Sequence, residues 1–148
     1  MRLWHKNLIT VLPREQLVAQ WRELSAIAGA IQKNGTPNHI LVNFVLDYDY
    51  DHFISYAYYA REEMTKRGYR TMNSVWEKIV SLKKDWTLLP LNKVYEEKMN
   101  SEYRIICYYN LKEKWLCCGI KEEDWTKIET LDIEWMKNQV IDTEWKIN

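Results

Sequence analysis

Apolar residues recur at alternating intervals of four and three between positions 13 and 33, the longest regular helical pattern in the chain. This spacing puts them on one side of an α-helix: Leu17, Trp21, Leu24, Ala28 and Ile31. Pro13 suits a first helical turn, where its missing N–H costs no hydrogen bond. Asn34-Gly35 can take the left-handed conformation that ends a helix. The pattern predicts a helix over residues 13–33 with one buried side.

The opposite face of this helix carries small side chains and three charged ones. At about 100° per residue, its members are Ala19, Arg22, Glu23, Ala26, Gly29, Ala30 and Lys33. Such a bare face lets a ligand or another backbone approach, and a carboxylate beside a guanidinium could hold an anionic ligand and transfer protons. The alternative is a helix–helix contact beside a solvated charge pair, which periodicity by itself favours.

The first twelve residues mix apolar and polar side chains and contain no turn signal. We therefore expect residues 1–12 to be ordered and docked across the helices, unlike most chain termini. The inward side chains would be Leu3, Trp4, Leu8 and Ile9, and the outward ones Arg2, His5 and Lys6.

Further helical patterns follow, with caps and breakers between them. Thr36-Pro37 opens a second helix, whose apolar side would be Ile40, Leu41, Phe44 and Val45. A third helix is expected from Asp49 or Asp51 to about Arg67, with Gly68 ending it. Its buried stripe would be Phe53, Ala57, Ala60 and Met64. Tyrosines crowd residues 48–59, where they either stack on nucleic-acid bases or, as we favour, fill seams between helices.

The second half of the chain is less regular. A short helix is expected over 75–84, capped by Asn73 or Ser74. Another starts at Ser101, with a pattern through Ile106, Tyr109 and Leu111 or the adjacent Cys107, and one or two short helices close the chain in 121–148. Because almost no stretch alternates apolar and polar residues as a strand does, we expect an all-α protein, a compact single-domain bundle over residues 1–148.

Composition indicates a soluble globular chain, with 47% hydrophobic and 28% charged residues. No apolar run could span a bilayer, and the opening MRLWHKNLIT is too short and polar for a signal peptide, so we expect a cytoplasmic protein without a membrane partner. Cys107, Cys117 and Cys118 form no C-x-x-C, which favours reduced thiols over a zinc site. We expect neither a metal nor a cofactor.

The net charge is zero, which argues weakly against a nucleic-acid binder, but the charge is uneven. Residues 1–46 carry five basic and two acidic side chains, whereas residues 117–148 carry four basic and eight acidic ones. A basic amino-terminal part permits a phosphate-bearing partner, although ordinary charge scatter accounts for the asymmetry equally well. No glycine-rich phosphate loop and no H-E-x-x-H occurs, so motifs of this kind leave the function open.

Several short segments carry a resemblance when taken in order. The chain opens with MRLWH and continues with LP-x-x-QL, A-Q-W-R-E-L and G-A-I-x-K; N-H-x-x-V-x-F-V follows at 38–45, E-E-M-x-x-R-G-Y at 62–69 and N-L-x-x-K at 110–114. This set resembles the pyrimidine dimer DNA glycosylase family of the endonuclease V type, and in particular its bacterial branch. The match is good over roughly residues 1–70 and thin beyond.

The resemblance implies an all-α fold and an unusual nucleophile, the α-amine of the chain itself. The amine attacks the sugar C1′ of one nucleotide of the dimer, expels the base and forms an imine that permits β-elimination of the 3′ phosphate. A free α-amine has a pKa of about 7.7–8, so a useful fraction is neutral at pH 7. The family's essential carboxylate falls on Glu23 and its basic neighbour, which would bind a phosphate, on Arg22.

We therefore expect a DNA repair glycosylase with abasic-site lyase activity, acting on double-stranded DNA with pyrimidine dimers or related lesions. The alternative is a non-catalytic helical DNA-binding or interaction module that keeps the scaffold. Met1 and Glu23 would be catalytic, and the expected DNA contacts are Arg2, His5, Arg22, Lys33 and His39.

The chain also departs from the studied members of that family. Arg2 normally protects an initiator methionine from removal, so the amine here would belong to Met1. The position one turn after the carboxylate, which is basic in those members, is Ala26 in this chain. The family-like core is expected to cover about residues 1–116, and an acidic, Trp-containing extension, residues 117–148, replaces a basic aromatic tail.

Overall fold

Helices provide all the regular secondary structure in the residues that the structure describes. This computed structural model describes the backbone of residues 1–147 and the side chains of residues 1–139. The α-helices are α1 (Arg14–Asn34), α2 (Tyr50–Lys66), α3 (Asn73–Val80), α4 (Ser101–Leu116) and α5 (Glu122–Ile147). Three short 3-10 helices span Lys6–Val11, Asn43–Asp47 and Leu91–Lys93. The all-α prediction is confirmed.

Helix α1 forms as its sequence pattern predicts. Gly35 ends it at φ 75°, donating its N–H to the Ile31 carbonyl at 2.8 Å. The whole apolar stripe is buried: Leu17, Trp21, Leu24, Ala28 and Ile31. Burying these five side chains fixes the rotation of α1 in the bundle, because each large aliphatic or aromatic group removed from water contributes roughly 1.5–3 kcal/mol.

The bare face of α1 divides into two parts. Helix α3 packs against the later part, where Gln32 donates to the Lys78 carbonyl and a Cβ added at Gly29 would come within 3.3 Å of Lys78 Nζ. The earlier part, around Arg22, remains open to solvent. The helix–helix interpretation therefore describes the later half of this face, and the open-site interpretation fits the earlier half.

Helix α2 also follows its prediction. Asp49 caps it by accepting the Asp51 N–H at 2.9 Å, and Gly68 follows its end at φ 78°. The expected stripe of Phe53, Ala57, Ala60 and Met64 is buried. Among the tyrosines beside it, Tyr56 is fully buried and Tyr59 donates to the Leu89 carbonyl at 2.7 Å, as expected for residues that fill seams.

The prediction of a helix starting at Thr36-Pro37 is wrong. Residues 35–42 form a loop, and the Asn43–Asp47 3-10 helix follows. Asn38 adopts φ 53°, which interrupts a right-handed helix. Within the loop, side-chain oxygens of Thr36 and Asn43 accept the N–H groups of Asn38 and His39. Ile40 and Leu41, expected inside, are exposed.

The amino-terminal segment is docked as expected, but it lies deeper than its pattern indicates. Leu3, Trp4, Leu8 and Ile9 are buried, and so are His5 and Lys6, which we expected to face outward. Lys6 Nζ donates to the carbonyls of Asn92 and Val94, at 3.0 and 2.6 Å. The polar side chains are buried because the 92–99 segment offers carbonyl acceptors that the hydrophobic pattern cannot reveal.

Helices α3 and α4 differ in detail from their predictions. Helix α3 ends at Val80, and residues 81–84 lie beyond it. In α4 the buried side chains are Tyr103, Arg104, Cys107 and Leu111, whereas Ile106 and Tyr109 are exposed. The polar groups of Tyr103 and Arg104 have partners inside the bundle. Helix α4 is therefore rotated so that these two residues are buried and Ile106 and Tyr109 face outward.

The carboxyl-terminal extension begins within the bundle, as one helix, α5, with its first turns packed. Trp125 and Ile128 are buried, and the Trp125 ring stacks on Trp115 with centroids 4.8 Å apart. Arg104 and Asp132 form a buried ion pair at 2.7 Å between α4 and α5. The extension's side chains at 140–148 lie outside the described residues.

Removal of the Asp132 carboxylate should destabilise the protein, because Arg104 would keep a buried charge without its partner. We expect Asp132→Ala to lower the free energy of unfolding by about 3–5 kcal/mol, measured by urea denaturation at pH 7. The exposed Glu129→Ala on the same helix is the control and should change it by less than ~0.5 kcal/mol. Equal stability of the two variants would show that α5 does not unfold together with the bundle.

Candidate active site

One buried amide, that of Gln20 on α1, connects the amino-terminal segment to a carboxylate. Gln20 is 1% exposed. Its Nε2 donates to the Arg2 carbonyl at 3.0 Å and to Glu23 Oε2 at 3.2 Å. Its Oε1 accepts the Trp4 N–H at 2.8 Å. The amide therefore fixes the backbone directly after Met1 beside the Glu23 carboxylate.

Tyr56 of α2 closes this network from the other side. Its Oη lies 2.6 Å from the Trp4 carbonyl and 2.9 Å from Gln20 Oε1. One hydroxyl hydrogen serves these two acceptors, so it is shared or alternates between them. Complete burial raises the pKa of Tyr56 well above its usual value, which keeps the hydroxyl protonated and able to donate.

The Glu23 carboxylate is half-buried, and its surroundings shift its pKa in opposite directions. Burial raises its pKa, and this is the largest effect. The Met1 amine, the Arg2 N–H, His39 and Lys114 act in the opposite direction, in that order of size. The net pKa is raised, so Glu23 binds a proton more readily than a solvated glutamate even though positive groups lie near it.

Helix α4 also contacts the amino-terminal segment. Tyr103 Oη donates to the Leu3 carbonyl. The Arg2 guanidinium lies close enough to Tyr103 and Cys107 to act against the burial that raises the pKa of each, and it lies 5.8 Å from the centroid of the Trp4 ring. Arg2 is therefore directed toward α4 and the segment itself.

The structure brings some of the expected site residues together and separates others. The Met1 amine and His39 both lie close enough to influence the Glu23 pKa, and Met1 is 45% exposed. Arg22 is the neighbour of Glu23 on α1 and is exposed. Lys33 is exposed too, but it lies ten residues along the helix, roughly 15 Å away.

His5 occupies a different environment from the one expected of a DNA-contacting residue. It is 2% exposed; Nε2–H donates to the Met99 carbonyl at 2.7 Å, and Nδ1 accepts the Asn7 N–H at 3.1 Å. Burial lowers its pKa to about 4, so the ring is neutral at pH 7. His5 thus caps the first 3-10 helix and joins the segment to the loop before α4.

Sequence reasoning did not single out Gln20, Tyr56, Tyr103 or Lys114. Gln20 lies inside the A-Q-W-R-E-L block and Lys114 ends the N-L-x-x-K block, so both were within the resemblance, without a role. Their partners come from distant parts of the chain. A polar residue on the buried side of α1, between Leu17 and Trp21, was the one signal that could have pointed to Gln20.

Comparison with known proteins identifies one family. Residues 1–77 match a family model described as pyrimidine dimer DNA glycosylase. This range includes Met1, Gln20, Glu23 and His39, whereas Lys114 lies beyond it. Neither the curated proteins nor the solved structures that were compared gave a match.

Replacement of Gln20 by methionine, which has similar length but no amide, should release the amino-terminal segment. The Trp4 N–H and the Arg2 carbonyl would lose their partner, at about 1–3 kcal/mol for each orphaned buried group. We expect hydrogen exchange of the Trp4 amide to rise by roughly tenfold or more in Gln20→Met. The matched control is Gln16→Met, one turn earlier, because Gln16 Oε1 is buried without a described partner. Unchanged Trp4 exchange in Gln20→Met would contradict this role.

Proposed function

Because its residues 1–77 match that family model, the chain belongs to the pyrimidine dimer DNA glycosylase family, and we propose that it is a glycosylase with abasic-site lyase activity whose nucleophile is the Met1 α-amine. The family identifies a DNA repair glycosylase with DNA as its substrate. The lyase step, the amine and the residue roles are our proposal. Pyrimidine dimers or related lesions in duplex DNA are the proposed targets.

A single observation carries the proposal, namely the pairing of the amino terminus with Glu23 through Gln20. The amide holds the Arg2 carbonyl at 3.0 Å and the Glu23 carboxylate at 3.2 Å. Such preorganisation matters because a nucleophile and an acid–base group held in place avoid the entropy cost of meeting during the reaction. Met1 itself remains 45% exposed, so a sugar can reach it.

The proposed first step is displacement at the sugar. The neutral amine donates its electron pair to C1′, the glycosidic C–N bond breaks, and the base leaves with the bonding pair and takes up a proton. Glu23 as a carboxylate would stabilise the positive charge that develops at the sugar. An α-amine suits this role since its ordinary pKa, about 7.7–8, is far below that of a lysine.

The second stage opens the sugar and breaks the strand. The secondary ammonium left by the first step would give a proton to Glu23. The C1′–O4′ bond then breaks as the nitrogen lone pair forms a protonated imine to C1′, and O4′ takes up that proton. Loss of a proton from C2′ then expels the 3′ phosphate by β-elimination, and water hydrolyses the imine to free the amine. Glu23 with a raised pKa could give the proton to O4′ and accept the one from C2′.

Phosphate binding is assigned to the basic residues near this centre. Arg22 lies next to Glu23 on α1, and His39 and Lys114 influence the same carboxylate. Lys33 would contact a phosphate farther along the duplex. Arg2 and His5, turned into the protein, would hold the amino-terminal segment rather than touch DNA. Lys114 supplies positive charge in the absence of a basic residue at Ala26, where the studied members of the family have one.

Borohydride trapping on abasic and dimer-containing duplexes tests the proposal, because reduction of the imine leaves a covalent protein–DNA adduct. We expect the wild-type chain to be trapped and a variant with an added amino-terminal Gly-Ser extension to lose the adduct. Intact mass spectrometry should show that Met1 is retained. Full-rate trapping of the extended protein would assign the chemistry to another amine.

Glu23→Gln in the same assay should lose strand cleavage while remaining folded. The raised pKa means that ionised Glu23 costs native stability at neutral pH, and this cost vanishes as pH falls toward the ordinary glutamate value of 4.5. The variant should therefore be no less stable than wild type at pH 7. Glu15→Gln, on an exposed site of the same helix, is the control. A folded Glu23→Gln enzyme with wild-type cleavage would eliminate this carboxylate as the catalytic one.

Salt dependence of duplex binding tests the phosphate contacts. Affinity should fall with salt at a logarithmic slope of about −0.9 for each phosphate neutralised. Arg22→Ala should weaken binding and flatten the slope by about one unit, whereas the exposed Lys127→Ala on α5 should not. Salt-dependent binding without any trapped adduct would favour the non-catalytic DNA-binding module, and absence of binding at low salt would remove both possibilities.

A further inference from the structure

The loop between α1 and the Asn43–Asp47 3-10 helix ends in an exposed apolar tip. Ile40 is 88% exposed, the largest fraction among the large hydrophobic side chains that the structure describes, and Leu41 beside it is 46% exposed. The next residue, Val42, is fully buried. Apolar groups at 40 and 41 thus project outward from a backbone that is anchored directly behind them.

Local hydrogen bonds fix the shape of this tip. Thr36 Oγ1 accepts the Asn38 N–H at 3.1 Å, and Asn43 Oδ1 accepts the His39 N–H at 2.9 Å. The His39 carbonyl accepts the N–H groups of both Val42 and Asn43. A tip ordered in this way presents Ile40 at a low entropy cost, which is what a rigid insertion element requires.

The tip lies next to the candidate active site. His39, directly before Ile40, lies close enough to Glu23 to act on the pKa of its carboxylate, as does Lys114. Residues 34–46 contain no acidic, lysine or arginine side chain, so insertion of the tip would desolvate no full charge. The exposed Arg22 and Lys33 on α1 provide positive charge for the phosphates of the same duplex.

We propose that Ile40, assisted by Leu41, is a wedge that inserts into the base stack of the damaged duplex next to the lesion. The proposal rests on the proposed function. An apolar side chain between base steps kinks a duplex and replaces part of the lost stacking. A damaged, poorly stacked step opens at lower cost, so the wedge would favour lesions over intact DNA and give the Met1 amine access to C1′.

Ile40→Ser tests the wedge, with Ile133→Ser on α5, also exposed, as the matched control. The probe is a dimer-containing duplex with 2-aminopurine next to the lesion, whose fluorescence rises when the base unstacks. We expect Ile40→Ser to lose most of this rise and roughly tenfold in kcat/KM on the duplex, the effect of about 1.4 kcal/mol. Cleavage of a single-stranded abasic oligonucleotide should be unchanged, and Ile40→Leu should restore the duplex reaction.

Several outcomes would overturn the wedge. One is Ile40→Ser matching wild type in both unstacking and duplex cleavage while wild type still forms the trapped adduct, which leaves the proposed function standing. Another is equal loss on single-stranded and duplex substrates, which would give the residue a role outside the base stack. A wild-type dimer that Ile40→Ser converts to a monomer would assign the tip to a second copy of the chain. No adduct from wild type on any substrate would remove the proposed function and the wedge together.

Discussion

The candidate site depends on a buried amide whose donors and acceptor all have hydrogen-bond partners. Gln20 offers two donors and two acceptor positions, and the Arg2 carbonyl, Glu23, the Trp4 N–H and the Tyr56 hydroxyl engage them. A buried amide left partly unpaired would cost about 1–3 kcal/mol per group. The amino-terminal segment is consequently held in one register on α1, and the position of the chain's first nitrogen follows from that register.

The electrostatics of Glu23 follow from the same arrangement. Burial raises the pKa of the carboxylate, and the docked segment brings the amine and the Arg2 N–H, which act to lower it. Because burial dominates, the pKa of Glu23 is nearer to neutral pH than that of a surface glutamate. A proton-transfer step benefits from such a group, since efficient general acids and bases have pKa values near the working pH.

Three separate parts of the chain form the surroundings of this centre. Helix α1 carries Arg22 and Glu23, the loop after it carries His39 and the exposed Ile40, and α4 contributes Tyr103 and, at its end, Lys114. Helix α5 fixes α4 through the Arg104–Asp132 pair. The family match ends at residue 77, so α4 and α5 lie beyond the matched range.

Sequence periodicity alone determined α1, α2, their buried stripes and the all-α class, because a 3.6-residue repeat and its end signals are local properties. The resemblance directed attention to Glu23 and to the chain terminus. The sequence could not predict that 36–42 is a loop, since the break comes from the left-handed backbone of Asn38, at φ 53°, which the cap signal at Thr36-Pro37 does not reveal. Nor could it predict that His5 and Lys6 are buried or that Gln20 joins residues 2, 4, 23 and 56. Those outcomes require acceptors and donors from distant segments, and only the tertiary structure decides which polar groups meet.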